Sequence, residues 1–471
     1  MAFPPWLWLA GGRRHPAGVR AAAAAALFAG LVALVLTYSR GGIVVAVAVT
    51  LGWLALAGAA RLESIAALAL AGSAGLAVSL FALSRPGVSD DGQPRSVRVH
   101  DGAWFGVVLL AGATVVWAIG LAAARREART PLTEPFRRRL TRVSLGTAGA
   151  VVAVALAVVL VRSGDPVHWA RTRVQEFASS KTSLVTQSKS RLADFSSNNR
   201  WPWWKDSWHL FEDHPVAGTG AGSFRVAHRR VRSNGVEVLE PHDLPLQFLS
   251  ETGLVGVALL GAATVAAAAG IVSGLRNPGD RAPAVALALG AVAYGLHGLL
   301  DFDWDFVAVT APLFLAVGVL LGSSEVPRRG RFTILRIATA VLFSLGLLYS
   351  LAAPHLSATR LNDSLDALAR ADARASVSAA KSAHSLDPLA IEPYFAWATA
   401  EDSRGNEAEA LRLYSKAVDL QPDNSDTWYT LARYELLLGR KTQARDHLAE
   451  AAQRDPHGPA ASCLQELASC R

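Results

Sequence analysis

The chain has 471 residues, 51% apolar and 18% charged, with a net charge of +8. That is too apolar for an ordinary soluble protein. The basic residues are spread through short loops between apolar blocks instead of gathering on one face, which argues against nucleic-acid binding.

The apolar residues form blocks of about 20, the length that spans a bilayer as a helix. Nine are predicted, near 19–37, 42–60, 64–83, 104–124, 143–161, 253–275, 282–300, 306–322 and 332–352. The second and third are rich in Ala and Gly. The N-terminal stretch MAFPPWLWLAGGRRHPAGVR has a short apolar patch ahead of its charges, the reverse of a cleaved signal peptide. The first block closes on LTYSRGG. Its Arg40 is either a bidentate phosphate ligand or a snorkelling arginine at a helix end.

Residues 125–142 hold Arg125, Arg126, Arg129, Arg137, Arg138, Arg139 and Arg142 against Glu127 and Glu134. This positive-inside signature assigns the segment to the cytoplasm. Counting outward from it, Arg13, Arg14, Arg20, Arg61, the 276–281 turn and Arg328, Arg329 and Arg331 fall on the same side. The Ser39–Gly42 turn, residues 84–103, 162–245, 301–305 and everything after about 353 fall on the other.

The 162–245 loop is polar and reads as flexible in its first half, KTSLVTQSKSRLADFSSNN. It is aromatic in its second, RWPWWKDSWHLFEDHPVAGTGAGSF. Arg200 stands just before four tryptophans that end at Trp208. Rings such as Trp204 and Trp208 anchor at a bilayer edge or stack on sugars. Residues Gly218–Gly222 lack the Lys-Ser/Thr of a phosphate loop and are predicted to be a tight turn before a helix. Then comes PHDLPLQFLSETGLVG. His242 is predicted at the membrane–water boundary, where ionisable groups tend to be functional, and an imidazole can take a hydroxyl proton near neutral pH. Asp301, Asp303 and Asp305 follow in DFDWD. They are either an acidic turn, the favoured reading, or oxygen ligands for a divalent cation.

Pro388, Pro422 and Pro456 are 34 residues apart, as are Ala398 and Ala432, Gly405 and Gly439, Ala410 and Ala444, and Ala417 and Ala451. This is the tetratricopeptide period: small residues let paired helices approach, and the proline stops the second helix. A degenerate pair is expected near 358–386. Such repeats serve as a structural cap or as a protein-docking surface. Cys463 and Cys470, on one straight helix, would lie about 10 Å apart, too far for a disulfide. Free thiols and a bridge after terminal fraying both remain open.

Together, LTYSRGG, the arginine- and tryptophan-bearing loop with HPVAGTGAGSF, and Pro241-His242-Asp243 … Glu251-Thr252-Gly253-Leu254-Val255-Gly256 resemble the bacterial O-antigen ligase and O-antigen polymerase superfamily over residues 15–325. The family's usual Ala-His-Asn here reads Pro-His-Asp. The resemblance implies an all-α, polytopic helix bundle of the GT-C type over 1–357, followed by a tetratricopeptide α-solenoid over 358–471. It implies an inverting glycosyltransferase at the outer face of the bacterial cytoplasmic membrane. The N-terminus would be cytoplasmic and the repeats extracytoplasmic. The donor would be a polyprenyl-diphosphate-linked glycan, with no cofactor and no metal.

The acceptor would be a glycan, lipid or protein hydroxyl, and a protein partner could dock on the repeats. The family's essential histidine carries over to His242, and its outer-face arginines to Arg40 and Arg200. On this reading His242 is the general base, Asp243 or Glu251 orients it, and the arginines stabilise the departing diphosphate. Trp204, Trp208, Asp243 and Glu251 are the substrate-binding candidates. Family members carry several more membrane helices before the Ser-Arg-Gly turn, where this chain has one, so its start resembles the middle of a family protein. The competing reading is a non-enzymatic membrane scaffold whose exported repeats assemble cell-envelope proteins.

Overall fold

The computed structural model describes residues 1–179, 196–276, 281–322 and 333–470. It is built of helices, with no strand among the described residues. In chain order they are α1 (Phe3–Gly11), α2 (Ala17–Leu36), α3 (Arg40–Leu56), α4 (Arg61–Leu83), α5 (Pro86–Ser89), α6 (Arg95–Arg129) and α7 (Glu134–Ser163). Next are α8 (Pro166–Ala178), α9 (Arg200–Asp213), α10 (Phe224–Val231), α11 (Leu244–Arg276), α12 (Arg281–Gly298), α13 (Val307–Gly322) and α14 (Thr333–Ala369). The tail adds α15 (Ala373–Leu386), α16 (Glu392–Ser403), α17 (Glu407–Leu420), α18 (Ser425–Leu437), α19 (Lys441–Arg454) and α20 (Pro459–Gln465).

All nine predicted apolar blocks fall on helices. Among the described residues, five stretches are long and apolar enough to cross a membrane: Ala17–Leu36, Gly58–Leu83, Arg95–Arg129, Leu244–Arg276 and Ile334–Ala369. The helices over 40–56 and 307–322 are shorter but also apolar. Leu110, Leu259, Leu315 and Phe343 lie exposed on these helices. Water does not tolerate so much contiguous apolar surface, whereas lipid does. The protein is a multi-pass membrane protein.

The chain divides into two compact units. The first comprises Met1–Trp208, Pro215–Ala217 and Glu240–Val326. Its core gathers Leu7, Leu27, Phe28, Trp53 and Val116. The Trp53 indole donates to Ser64 Oγ (3.0 Å), which donates to the Leu7 carbonyl (3.2 Å). Segments expected on one side of the membrane contact one another. At the N-terminal end of α2, Arg20 pairs with Glu127 (2.8 Å), and Arg137 bridges Glu127 and Glu63. Beyond its other end, the Tyr38 hydroxyl donates to the Ser89 carbonyl (2.9 Å) and Arg40 reaches Ser196. The predicted basic loop 125–142 is mostly helical, because α6 and α7 extend past their apolar cores into it.

The second unit comprises His209–His214, Gly218–Leu239 and Pro327–Arg471. Here α14 runs unbroken from the ninth apolar block into the first helix pair, with Pro354 inside it. The repeat glycines Gly405 and Gly439 both take left-handed backbone (φ 78° and 74°) in the turn between paired helices, which glycine adopts without strain. The repeat alanines 398, 432, 410, 444, 417 and 451 are all fully buried, as close helix approach requires. The straight-helix assumption for the cysteines fails. Helix α20 ends at Gln465 and a 3-10 turn follows, so Cys463 and Cys470 lie 5.2 Å apart at Cα and are bonded as a disulfide.

Candidate functional site

The site lies in the first unit and begins with two helix caps. After a left-handed Tyr38 (φ 52°), Ser39 Oγ accepts from Gly42 N (3.0 Å) and starts α3, which sets Arg40 in its first turn. A Cβ on Gly41 would approach Leu300 to 2.9 Å, so this turn packs closely against the residue before Asp301. At α11, Asp243 Oδ1 accepts from Leu246 N (2.8 Å), capping the helix. The Asp243 carboxyl is therefore engaged in capping, and the His242 ring bonds instead to Asp301. Burial pushes its pKa up, against the opposing pull of that hydrogen bond.

Between Pro241 and this cap, His242 is held at φ 58°. A non-glycine residue there costs roughly 1–2 kcal/mol, and such strain clusters at functional positions. The imidazole is fixed on three sides. Nδ1 is 2.8 Å from Asp301 Oδ1, the Trp203 ring stacks on it at 5.2 Å, and Phe302 meets it edge-on at 4.4 Å. The other oxygen of Asp301 accepts from Arg200 Nη2 (3.3 Å). Burial alone would raise the Asp301 carboxyl. The His242 hydrogen bond and the Arg200 charge outweigh it and hold the group below the usual carboxylate range, so it stays ionised. In the neutral ring that donates Nδ1–H to that carboxylate, the lone pair is on Nε2. Arg40 Nη2 donates to the Ser196 carbonyl (2.7 Å), in the turn that opens α9 with Arg200. Residues 200 and 242, far apart in sequence, thus meet at Asp301, and Arg40 reaches the turn that leads into Arg200.

Each acid of the DFDWD turn has its own partner. Asp303 pairs with His297 Nδ1 (2.6 Å), and Asp305 accepts from Gln247 Nε2 (3.3 Å). Burial raises the Asp305 pKa, with Gln247 opposing. Among the described residues no group of three or more His, Cys, Asp or Glu is arranged to hold a metal ion.

The α11 helix starts nine residues before its predicted apolar block and kinks at Gly253 (φ 61°). The backbone of Pro215–Ala217 fits into the kink. Leu254 N donates to the Pro215 carbonyl (2.9 Å) and Val255 N to that of Val216 (3.3 Å). A Cβ at 253 would collide with Val216, which explains a glycine two residues after Glu251. Glu251 is buried within α11. Trp204 packs against Phe177 (5.8 Å) and Trp201 (6.3 Å), and Trp208 is half exposed. The ring on His242 is Trp203, which sequence reasoning passed over, as it passed over Asp301 as the histidine's partner. The polar stretch 181–199 lies outside the described residues as far as 195.

Residues 100–261 match the model of the O-antigen ligase family, and residues 403–467 match a tetratricopeptide repeat. Over residues 100–261 the membrane region is similar to the O-antigen ligase family. No curated protein matches the chain. The segment matching the ligase family contains Arg200 and His242 and stops before Asp301. At the coarse level, the ligase family stands for membrane glycan ligation or polymerisation by a glycosyltransferase-like enzyme, with a lipid-linked glycan as substrate. The repeats stand for protein interaction.

Proposed function

We propose that this ligase transfers a glycan from a polyprenyl-diphosphate donor to an acceptor hydroxyl on a glycan, lipid or protein. The reaction would run at the outer face of the bacterial cytoplasmic membrane and invert the anomeric centre. The observation that carries the reading is Asp301, bonded at once to His242 and Arg200 beneath a strained histidine backbone. His242 Nε2 takes the acceptor proton as the hydroxyl oxygen attacks the anomeric carbon. Asp301 holds the ring in the right tautomer and stabilises the imidazolium that forms. Charge grows on the departing lipid diphosphate, and the guanidinium groups of Arg40 and Arg200 stabilise it.

Two further features support the reading. An apolar cavity of about 640 Å³, lined among others by Leu34, Val45, Val49 and Tyr294, also has His297 and Asp303 in its wall. It suits an isoprenoid chain beneath a charged head group. The Cys463–Cys470 disulfide suits repeats in an oxidising, extracytoplasmic compartment. The scaffold alternative accounts for the repeats but gives the strained histidine, hydrogen-bonded to Asp301, no task. The test is His242→Ala in the full chain. Transfer should fall on the order of a thousandfold while the protein still assembles in the membrane. Retained transfer would remove the histidine from the mechanism.

A further inference from the structure

In the second unit, Gly218–Leu239 of the outer loop is docked on the chain's own repeats. The docked element is basic: residues 224–232, FRVAHRRVR, carry four arginines and no acid. It meets acids at the ends of neighbouring repeat helices. Arg232 forks onto Asp455, the residue that closes α19, with Nη2 at 2.7 Å from both carboxylate oxygens and Nε at 3.1 Å from one. The two side chains are 2% and 4% exposed. Arg229 reaches Asp426 (2.8 Å) and Ser425 (3.3 Å) in the first turn of α18, and also Glu237 (3.2 Å) in its own loop. Phe224 and His228, stacked at 5.2 Å, are fully buried beside these pairs. The glycines 218, 220 and 222, all at positive φ, form the turn that delivers α10 to this surface.

A buried, bidentate ion pair is not a casual contact, since either charge left alone in such a place is strongly disfavoured. We infer that the protein partner of these repeats is the chain's own outer loop, and that this docking positions the loop for glycan transfer. Arg232 precedes His242 by ten residues. Holding α10 therefore shortens the free chain leading into the histidine and limits its wandering. Arg229, Arg232, Asp426 and Asp455 are then positioning residues that touch no substrate. The surface described by Asp426 and Asp455 is already filled, so a separate partner would have to displace α10 to use it.

The positioning role rests on the proposed transfer reaction, but the docking does not, and the experiment separates them. Full-length wild type, Asp455→Asn, Asp426→Asn and Asp426→Glu are embedded in lipid nanodiscs, and amide exchange is followed over residues 224–232. Both asparagine variants should speed exchange there at least tenfold. Asp426→Glu, which keeps the charge at a half-exposed position, should restore wild-type rates. Unchanged exchange in Asp455→Asn and Asp426→Asn would overturn the docking. In the same preparations transfer should fall about tenfold in the asparagine variants and recover in Asp426→Glu. The pH profile should keep its shape, because His242 and Asp301 are untouched. Released α10 with undiminished transfer would overturn the positioning role and leave the docking standing.

Discussion

Two Arg–Asp pairs, one in each unit, do opposite work. Arg232–Asp455 is sealed, at 2% and 4% exposure, and forked at 2.7 Å. Arg200–Asp301 is looser, with one contact at 3.3 Å and 22% and 23% exposure, and its carboxylate is shared with His242. Burial makes an ion pair a structural commitment, whereas partial exposure leaves charge available to a substrate. The proposed chemistry is accordingly assigned to the weaker pair.

Removing one arginine from each pair sharpens that contrast most. Arg232→Ala strands Asp455 in the interior and should cost about 3–5 kcal/mol of local stability, read by amide exchange over the repeats. Arg200→Ala should cost no more than about 1 kcal/mol of stability. It should nevertheless lower transfer by on the order of a hundredfold, because the diphosphate loses a cation and Asp301 loses its restraint. Equal stability losses would break the comparison.

Acid titration probes the sealed pair from the side. Burial first, then the Arg232 charge, pushes the His228 pKa down from its usual 6.5 to about 4. The docked form thus holds a neutral imidazole, and the released form takes a proton first as pH falls. Docking should be fully stable above about pH 6.5 and weaken progressively toward pH 4, by roughly 3 kcal/mol at most. Exchange over residues 224–232 should follow that window, and His228→Phe should flatten it. The smallest effect is expected at the cap beside the histidine. Asp243→Ala should cost about 1 kcal/mol of helix stability, seen as a small Tm decrease, with transfer lowered far less than by Arg200→Ala.

Local pattern carried much of this structure. Blocks of apolar residues became helices because length and hydropathy act residue by residue. The 34-residue spacing became stacked helix pairs because alanine and glycine act at fixed offsets. The tight turn expected at 218–222 leads into α10. His242, Arg40 and Arg200 could be singled out from residue type and their expected side of the membrane. Their partner could not. Asp301 is 59 residues from His242 and looked like one of three equivalent acids until the turn gave each a different neighbour. Asp243, adjacent in sequence, seemed the natural orienting group, but a carboxylate one residue before a helix is drawn to that helix's free N–H groups. Trp203 and Trp204 are indistinguishable by composition, yet helical geometry sends them to different faces, and only Trp203 meets the imidazole. The Arg232–Asp455 pair spans 223 residues and leaves no periodic trace.

The most direct measurement is a double-mutant cycle on glycan transfer, using His242→Ala, Asp301→Asn and the two combined in the full-length protein. If Asp301 acts through His242, Asp301→Asn alone lowers transfer on the order of a hundredfold, and adding it to His242→Ala lowers it no further. Full activity in Asp301→Asn, or losses that multiply in the double variant, would contradict a histidine base held by that carboxylate.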